Sequence, residues 1–312
     1  MEVFTQIILQ AGRSAVELCL FILLPVMVVM LSLMRLLEAR GVLDWLVART
    51  APALRPFGLT GLGVFAALQI NFVSFAAPIA TLAMMDRRGA SDRHLAATLA
   101  MVLAMGQANV TFPMAAMGLN FGFTLVMSLV AGLAAAALSY YVFGRSLSDR
   151  EATVDEQLPH AVADSARGTL AVINRAGSEA FNIAVGSIPM IVLALVAVMA
   201  LRTTGAMDAL AGALAPLLSA LSIDPALILL TLTKYVAGGT AMMGVMDEML
   251  RTGVTTVATL NASAGFLTHP LDLPGLAILI SAGPRVAAVW KPAVLGAIAA
   301  ILLRTLAHAF GA

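Results

Sequence analysis

Apolar residues run in blocks long enough to cross a membrane, and polar side chains interrupt those blocks at only a few places. The long runs fall at about 17–37, 58–84, 95–118, 119–143, 180–201, 225–246, 254–282 and 286–307. At 1.5 Å per residue each covers a hydrocarbon core of roughly 30 Å. Two weaker stretches, 41–56 and 205–220, mix apolar positions with Asp44, Arg49 and Arg55, or with Asp208. Their spacing predicts helices lying in the interface plane, or parts of re-entrant hairpins. Between 144 and 178 charges of both signs surround a single proline. That stretch predicts a polar cytoplasmic linker, too short to be a domain.

Composition sharpens the picture. Of 312 residues 61% are apolar and 11% charged, against roughly 25% charged in a soluble domain. So few charges cannot cover a water-facing surface. The chain is therefore expected to be an all-α integral membrane protein, with the lipid bilayer as its first partner. Glu2 sits where a cleaved signal would carry positive charge, so Glu17–Leu37 is expected to be the first span rather than a signal. A net charge of +1 gives no case for nucleic acid. Cys19 stands alone and the four histidines are scattered, so neither a disulfide framework nor a metal site is expected. HExxH, Walker A and GxSxG motifs are all absent, so no enzyme activity and no cofactor are expected.

An internal repeat organises the spans. Shifted by 164 residues, Gly41, Asp44 and Pro52 fall on Gly205, Asp208 and Pro216, and Gly89 falls on Gly253. The order of segments repeats with them: span, amphipathic stretch, polar-marked run, charged turn, two further runs. Loop charge then bears on topology. If runs 58–84 and 225–246 return to the side they entered, thirteen basic residues share one side and four lie opposite, a strong positive-inside bias. If all eight runs cross, the count is ten against seven. The first arrangement gives three crossings per half and hence inverted repeats, a common plan of secondary transporters. Fully crossing helices remain the rival. The expected organisation is a first repeat over 1–143, a linker over 144–178 and a second repeat over 179–312.

The polar residues inside the runs are the candidate site. Gln69, Asn71 and Ser74 precede Pro78, which removes an intrahelical bond and can free carbonyls. Their counterparts in the second half are Thr233, Lys234, Gly238, Gly239 and Thr240. A charged lysine at mid-bilayer costs roughly 2.5–3.5 kcal/mol and needs a partner or a wet cavity. Lys234 meets an anionic group of a solute, replaces a cation in coupling, or pairs with Asp272 or Glu179 to hold the bundle together. A further pair of clusters contains Gln107 and Asn109, and then Asn261, Ser263, His269 and Asp272. Each lies in a helix break within the membrane or in a turn joining two spans. His269 and Asp272 could relay protons or bind a cation; alternatively Asp272 caps a turn. The coupling ion, H+ or Na+, stays open, as does a homo-oligomer.

Gly41-Val-Leu-Asp-Trp, Pro52, Leu54-Arg-Pro-Phe-Gly-Leu and Asp86-Arg-Arg-Gly89 resemble the nucleoside recognition, or gate, domain family of membrane proteins. Gly205-Ala-Met-Asp208, Pro216 and Leu221-Ser-Ile-Asp-Pro resemble the same unit again. The whole chain is similar to a fused pair of spore-maturation A and B membrane proteins. Comparable gate units occur in concentrative nucleoside transporters and in ferrous-iron transporters, although the latter rely on gate cysteines this chain lacks. The resemblance implies two gate repeats with discontinuous helices in the bacterial inner membrane. It implies a secondary transporter of a small polar, nucleoside-like solute, with a non-transporting assembly or signalling component as the alternative.

Overall fold

The computed structural model describes residues 2–150, 168–206 and 224–311, together with Ala209, Gly212 and Ala213. Residues 151–167 of the expected linker and most of the 205–220 stretch lie outside the described residues. The first span is one long helix, α1 (Glu2–Glu17) and α2 (Leu24–Ala39), joined by a π-helical turn at Leu18–Leu23. It ends at Gly41, whose φ of 68° starts α3 (Val42–Leu54). The helical stretch Val42–Phe57 meets α4 (Gly61–Phe72) at 104°. α3 is therefore a lateral piece rather than the start of a crossing.

After α4 the chain unwinds over 73–77 and re-enters a helix at Pro78, giving α5 (Pro78–Arg87). The Thr81 hydroxyl donates to Gln69 Oε1 at 2.7 Å. In one continuous helix residues twelve apart would be about 18 Å apart. The 58–84 run is thus a hairpin with its tip at 73–77. α6 (Asp92–Ala104) and α7 (Ala108–Ala116) form a broken span, and α8 (Phe121–Leu138) closes the first half.

The second half repeats this order. α9 (Thr169–Thr203) is its long span and starts inside the stretch expected as linker. α10 (Ala226–Ala237) and α11 (Gly239–Arg251) pack against each other, with only Gly238 between them. α12 (Val257–Leu267) and α13 (Leu273–Ile280) form the second broken span. The short α14 (Pro284–Ala288) leads into the last span, α15 (Trp290–Gly311). Backbone geometry confirms the register of the repeat. Gly41 and Gly205 have φ of 68° and 72°, and Gly89 and Gly253 have 73° and 70°. Ser91 caps α6 and Thr256 caps α12 in the same way, each accepting from an N–H three residues on.

Among the described residues five helices are long and apolar enough to cross a membrane: Phe4–Ala39, Asp92–Ala116, Phe121–Phe143, Thr169–Leu201 and Trp290–Gly311. The α12–α13 pair is the second-half counterpart of α6–α7. Each half therefore has three crossings, and the halves are inverted. The chain is a multi-pass membrane protein.

Side-chain ties place the loops. Arg285 meets Asp92 at 2.6 Å and Asp86 at 3.8 Å, and the Tyr141 hydroxyl donates to Pro56 O at 2.7 Å. Arg35 meets Glu179 at 3.0 Å on this basic side. Arg251 meets Glu17 at 3.1 Å, eighteen residues and about 27 Å down the first helix from Arg35. Arg304 is a correction to the loop count. It lies within α15 and is 1% exposed, so it belongs to the membrane interior.

Two apolar clusters fill the interior. One joins α1, α2 and α9 to α11, through Leu18, Met27, Ile191, Met242, Met243 and Met246. The other wraps α6, whose alanine-rich face lets α8 and α15 approach closely. The residues of α6 and α7 are completely buried over the spanning window.

Candidate functional site

Four interruptions of helix meet in the interior: the hairpin tip at 73–77, the break at 105–107, the turn at Gly238 and the break at 268–272. Met105 and Gln107 are extended, with ψ of 156° and 128°. The two broken spans touch there, since Gln107 N–H donates to Thr268 O at 2.9 Å. Gln107 Nε2 donates to His269 O at 3.2 Å. Both contacts join the halves of the repeat.

Asn109 bridges the two hairpins. Its Oδ1 accepts from Phe75 N at 3.2 Å on the first tip, and its Nδ2 donates to Thr240 Oγ1 at 3.1 Å on the second. Asn71 ties the first hairpin to α8, accepting from Ser128 Oγ at 2.8 Å. Gly106 N donates to the same hydroxyl at 2.7 Å. At Gly239 a Cβ would collide with the side-chain amide of Gln107, so glycine alone permits this approach. Gly238 has φ of 91° and ψ of 171°, a backbone region taken almost exclusively by glycine.

Lys234 is fully buried and forms an ion pair and hydrogen bond with Asp272. Asp272 also caps α13, its Oδ1 accepting from Gly275 N at 2.7 Å. Of the two carboxylates expected for Lys234, Glu179 is instead the partner of Arg35. His269 is buried; its Nδ1 accepts from Leu271 N at 3.1 Å, and its Nε2 has no partner among the described residues.

The structure thus gathers Asn71, Gln107, Asn109, Lys234, Gly238, Gly239, Thr240, His269 and Asp272 around the breaks. Gln69 closes its own hairpin through Thr81, Thr233 is buried one residue before Lys234, and Ser74 faces a cavity. Asn261 and Ser263 are engaged elsewhere. Asn261 Nδ2 donates to Gly118 O at 3.0 Å and its Oδ1 accepts from Asn120 N at 2.7 Å, fixing the α7–α8 turn. Ser263 donates to Thr259 O within α12 at 2.6 Å. Three contributors escaped the sequence reading: Ser128, Thr81 and Arg304. Arg304 had a visible signal, a lone arginine in a mainly apolar run that continues, past Thr305 and His308, to Phe310.

A wide-mouthed cavity of about 660 Å³ adjoins the first hairpin tip. Ser74, Ala76 and Ala77 line it from the tip, and Arg35, Glu179 and Asn182 from α2 and α9. The second hairpin has a smaller cavity on its flank, about 180 Å³, lined by Gln10, Leu195, Met199, Val245, Glu248, Met249 and Thr252. Its α11 is packed against α9 through Met242, Met246 and Ile191, and Ser14 donates to Glu248 at 3.2 Å. No group of three or more His, Cys, Asp or Glu side chains suited to a metal ion occurs among the described residues.

Two inverted units, each a long span, a hairpin, a broken span and a closing span, define a gate-type membrane fold. Solved structures of CNTnw share it over nearly the whole chain. A double variant in an outward-facing state superposes with a TM-score of 0.67 at 17% identity, over 99% of this chain and 84% of that one. The inward-facing, substrate-bound state gives 0.64 at 17%, over 99% and 81%. A variant in an intermediate state gives 0.66 at 18%, over 95% and 77%. The likeness, at 17–18% identity, is one of fold, and it is to CNTnw rather than to the spore-maturation proteins. No protein-family model matches the sequence, and no curated protein does.

Proposed function

We propose that the chain is a secondary transporter of a small polar solute, with nucleoside-like molecules as the first class to test. The observation that carries this reading is the convergence of four helix interruptions on Gln107 and Asn109. Backbone outside a helix persists at membrane depth only where protein buries it or where it lines a watery path. Here amides and hydroxyls of both halves are spent on one another, so a solute entering between the hairpin tips exchanges for bonds that already exist. Asn71, Ser74, Gln107, Asn109 and Thr240 offer donors and acceptors to a neutral polar molecule. Gly238 and Gly239 let it approach the backbone. Lys234 joins the site once Asp272 releases it.

The cavity beside Ser74 supplies the path. It lies on the side of Arg35 and Arg285, which loop charge makes cytoplasmic, and it is larger than the cavity of about 180 Å³ between the second hairpin and α9. We take this as the inward-facing shape of an alternating-access cycle. The solved states of CNTnw, described as outward-facing, inward-facing and intermediate, support such a cycle for this fold.

The test is uptake of radiolabelled uridine and adenosine into liposomes holding the purified protein. Uptake above that of empty liposomes, lost in Asn109→Ala, is expected. Uptake no greater than in empty liposomes, from protein that remains folded, would refute a nucleoside-like solute.

A further inference from the structure

Arg304 has no carboxylate partner among the described residues, yet it is 1% exposed inside the last span. Its Nη1 donates to Ala104 O at 3.2 Å, and its Nη2 donates to the Thr268 hydroxyl. Nε has no partner among the described residues. Ala104 is the last residue of α6, and Thr268 follows the last residue of α12. Two half-helices therefore present their C-terminal ends to one guanidinium. Each such end carries roughly half a negative elementary charge, so the pair matches a single cation in sign and size.

The approach is built in by close packing. A Cβ at Gly265 would lie 2.6 Å from Thr305 Cα and 2.7 Å from Arg304 O. Glycine at 265 therefore lets α15 press onto α12 beside the break and delivers the guanidinium to it. In transporters of inverted-repeat plan, unwound carbonyls and half-helix C-terminal ends are where a coupling cation is held. Hard cations take carbonyl and hydroxyl oxygens of the same kind. Here those oxygens are committed to a side chain.

We propose that Arg304 is a tethered cation standing where a mobile coupling ion would otherwise sit, so that the crossing of the two broken spans binds no sodium. Its meaning for a transport cycle rests on the transporter reading, but the ion-binding claim is tested without transport. The purified protein is unfolded by heat in sodium, potassium and choline chloride at equal ionic strength. The wild type is expected to give one midpoint in all three. Arg304→Gln can still donate to one of the two oxygens while losing the charge. It is expected to show a lower midpoint in choline, with part of the loss recovered by sodium or by dilute guanidinium.

A sodium-specific rise in the wild type overturns the proposal. So does a folded Arg304→Gln protein that gains from neither cation. Arg304→Lys keeps a cation in place and is expected to remain indifferent to sodium; a sodium-specific rise there also overturns it, and this arm holds if the glutamine variant fails to fold. Failure of the uptake assay with normal cation behaviour would instead count against the transporter reading alone.

Discussion

Replacing Lys234 with methionine removes the ammonium and leaves the Asp272 carboxylate, 3% exposed, inside the bundle. One of its oxygens keeps the bond from Gly275 N at 2.7 Å, and the other loses its charged partner. Breaking one side of a buried pair costs about 3–5 kcal/mol. In a bilayer the unfolded helices also hold a carboxylate at depth, which costs about 2.5–3.5 kcal/mol on insertion scales. The expected loss is therefore at the lower end, about 3 kcal/mol. Asp272→Asn keeps the α13 cap, because asparagine caps as well as aspartate, but it strands the ammonium. The double variant holds no stranded charge and should recover about 2 kcal/mol of the summed losses. Equilibrium unfolding in mixed detergent micelles, run as a double-mutant cycle, measures this coupling. Additive losses, with coupling under about 0.5 kcal/mol, would show that the pair is not the unit described. Uptake by the double variant then separates roles: stable and inactive marks Lys234 as a solute contact, stable and active marks it as structural.

Gly239→Ala should destabilise by about 1–3 kcal/mol, as overpacking does. The new methyl group drives the Gln107 amide off His269 O, and Gln107→Ser in the same chain should restore most of the thermal midpoint. In a Cys19→Ser background, Ser74→Cys and Asn182→Cys line the cavity and should react with a polar thiol reagent from the cytoplasmic side, whereas Met246→Cys should be protected. Adding Arg251→Ala leaves Glu17, Asp247 and Glu248 without their shared cation and should raise labelling at 246 from the outside. Equal labelling at 74 and 246 in the first background would refute the wider access beside the first hairpin.

The repeat was legible because its punctuation is backbone-driven. Gly41, Gly89, Gly205 and Gly253 all occupy left-handed conformations that other residues avoid, so a shared turn leaves a shared letter. The first hairpin was legible through Pro78 and the second through Gly238-Gly239, each beside polar residues in an apolar run. Pairings were less so. Nothing local decides whether Lys234 meets Asp272 or Glu179, since helix packing alone brings one near and sends the other to Arg35. Asn261 and Ser263 looked like members of the central cluster because they sit on the same broken span, but they lie on the α12 turns before the break. Arg304 was missed for the opposite reason. A single charge near a chain end reads as loop, and only the packing of α15 on α6 and α12 draws it inward.

The charge on Arg304 is also a handle for the electric field. α15 packs on α6, α8 and α12, so in the proposed alternating-access cycle the guanidinium would travel with the broken spans, while Lys234 and Asp272 cancel each other. A unit that carries one net positive charge through the full field exchanges about 2.3 kcal/mol per 100 mV. In a membrane negative inside, voltage then acts as a spring that returns the unit to the cytoplasmic side. Movement of the empty protein would register as a transient current, with no ion bound and none passing through.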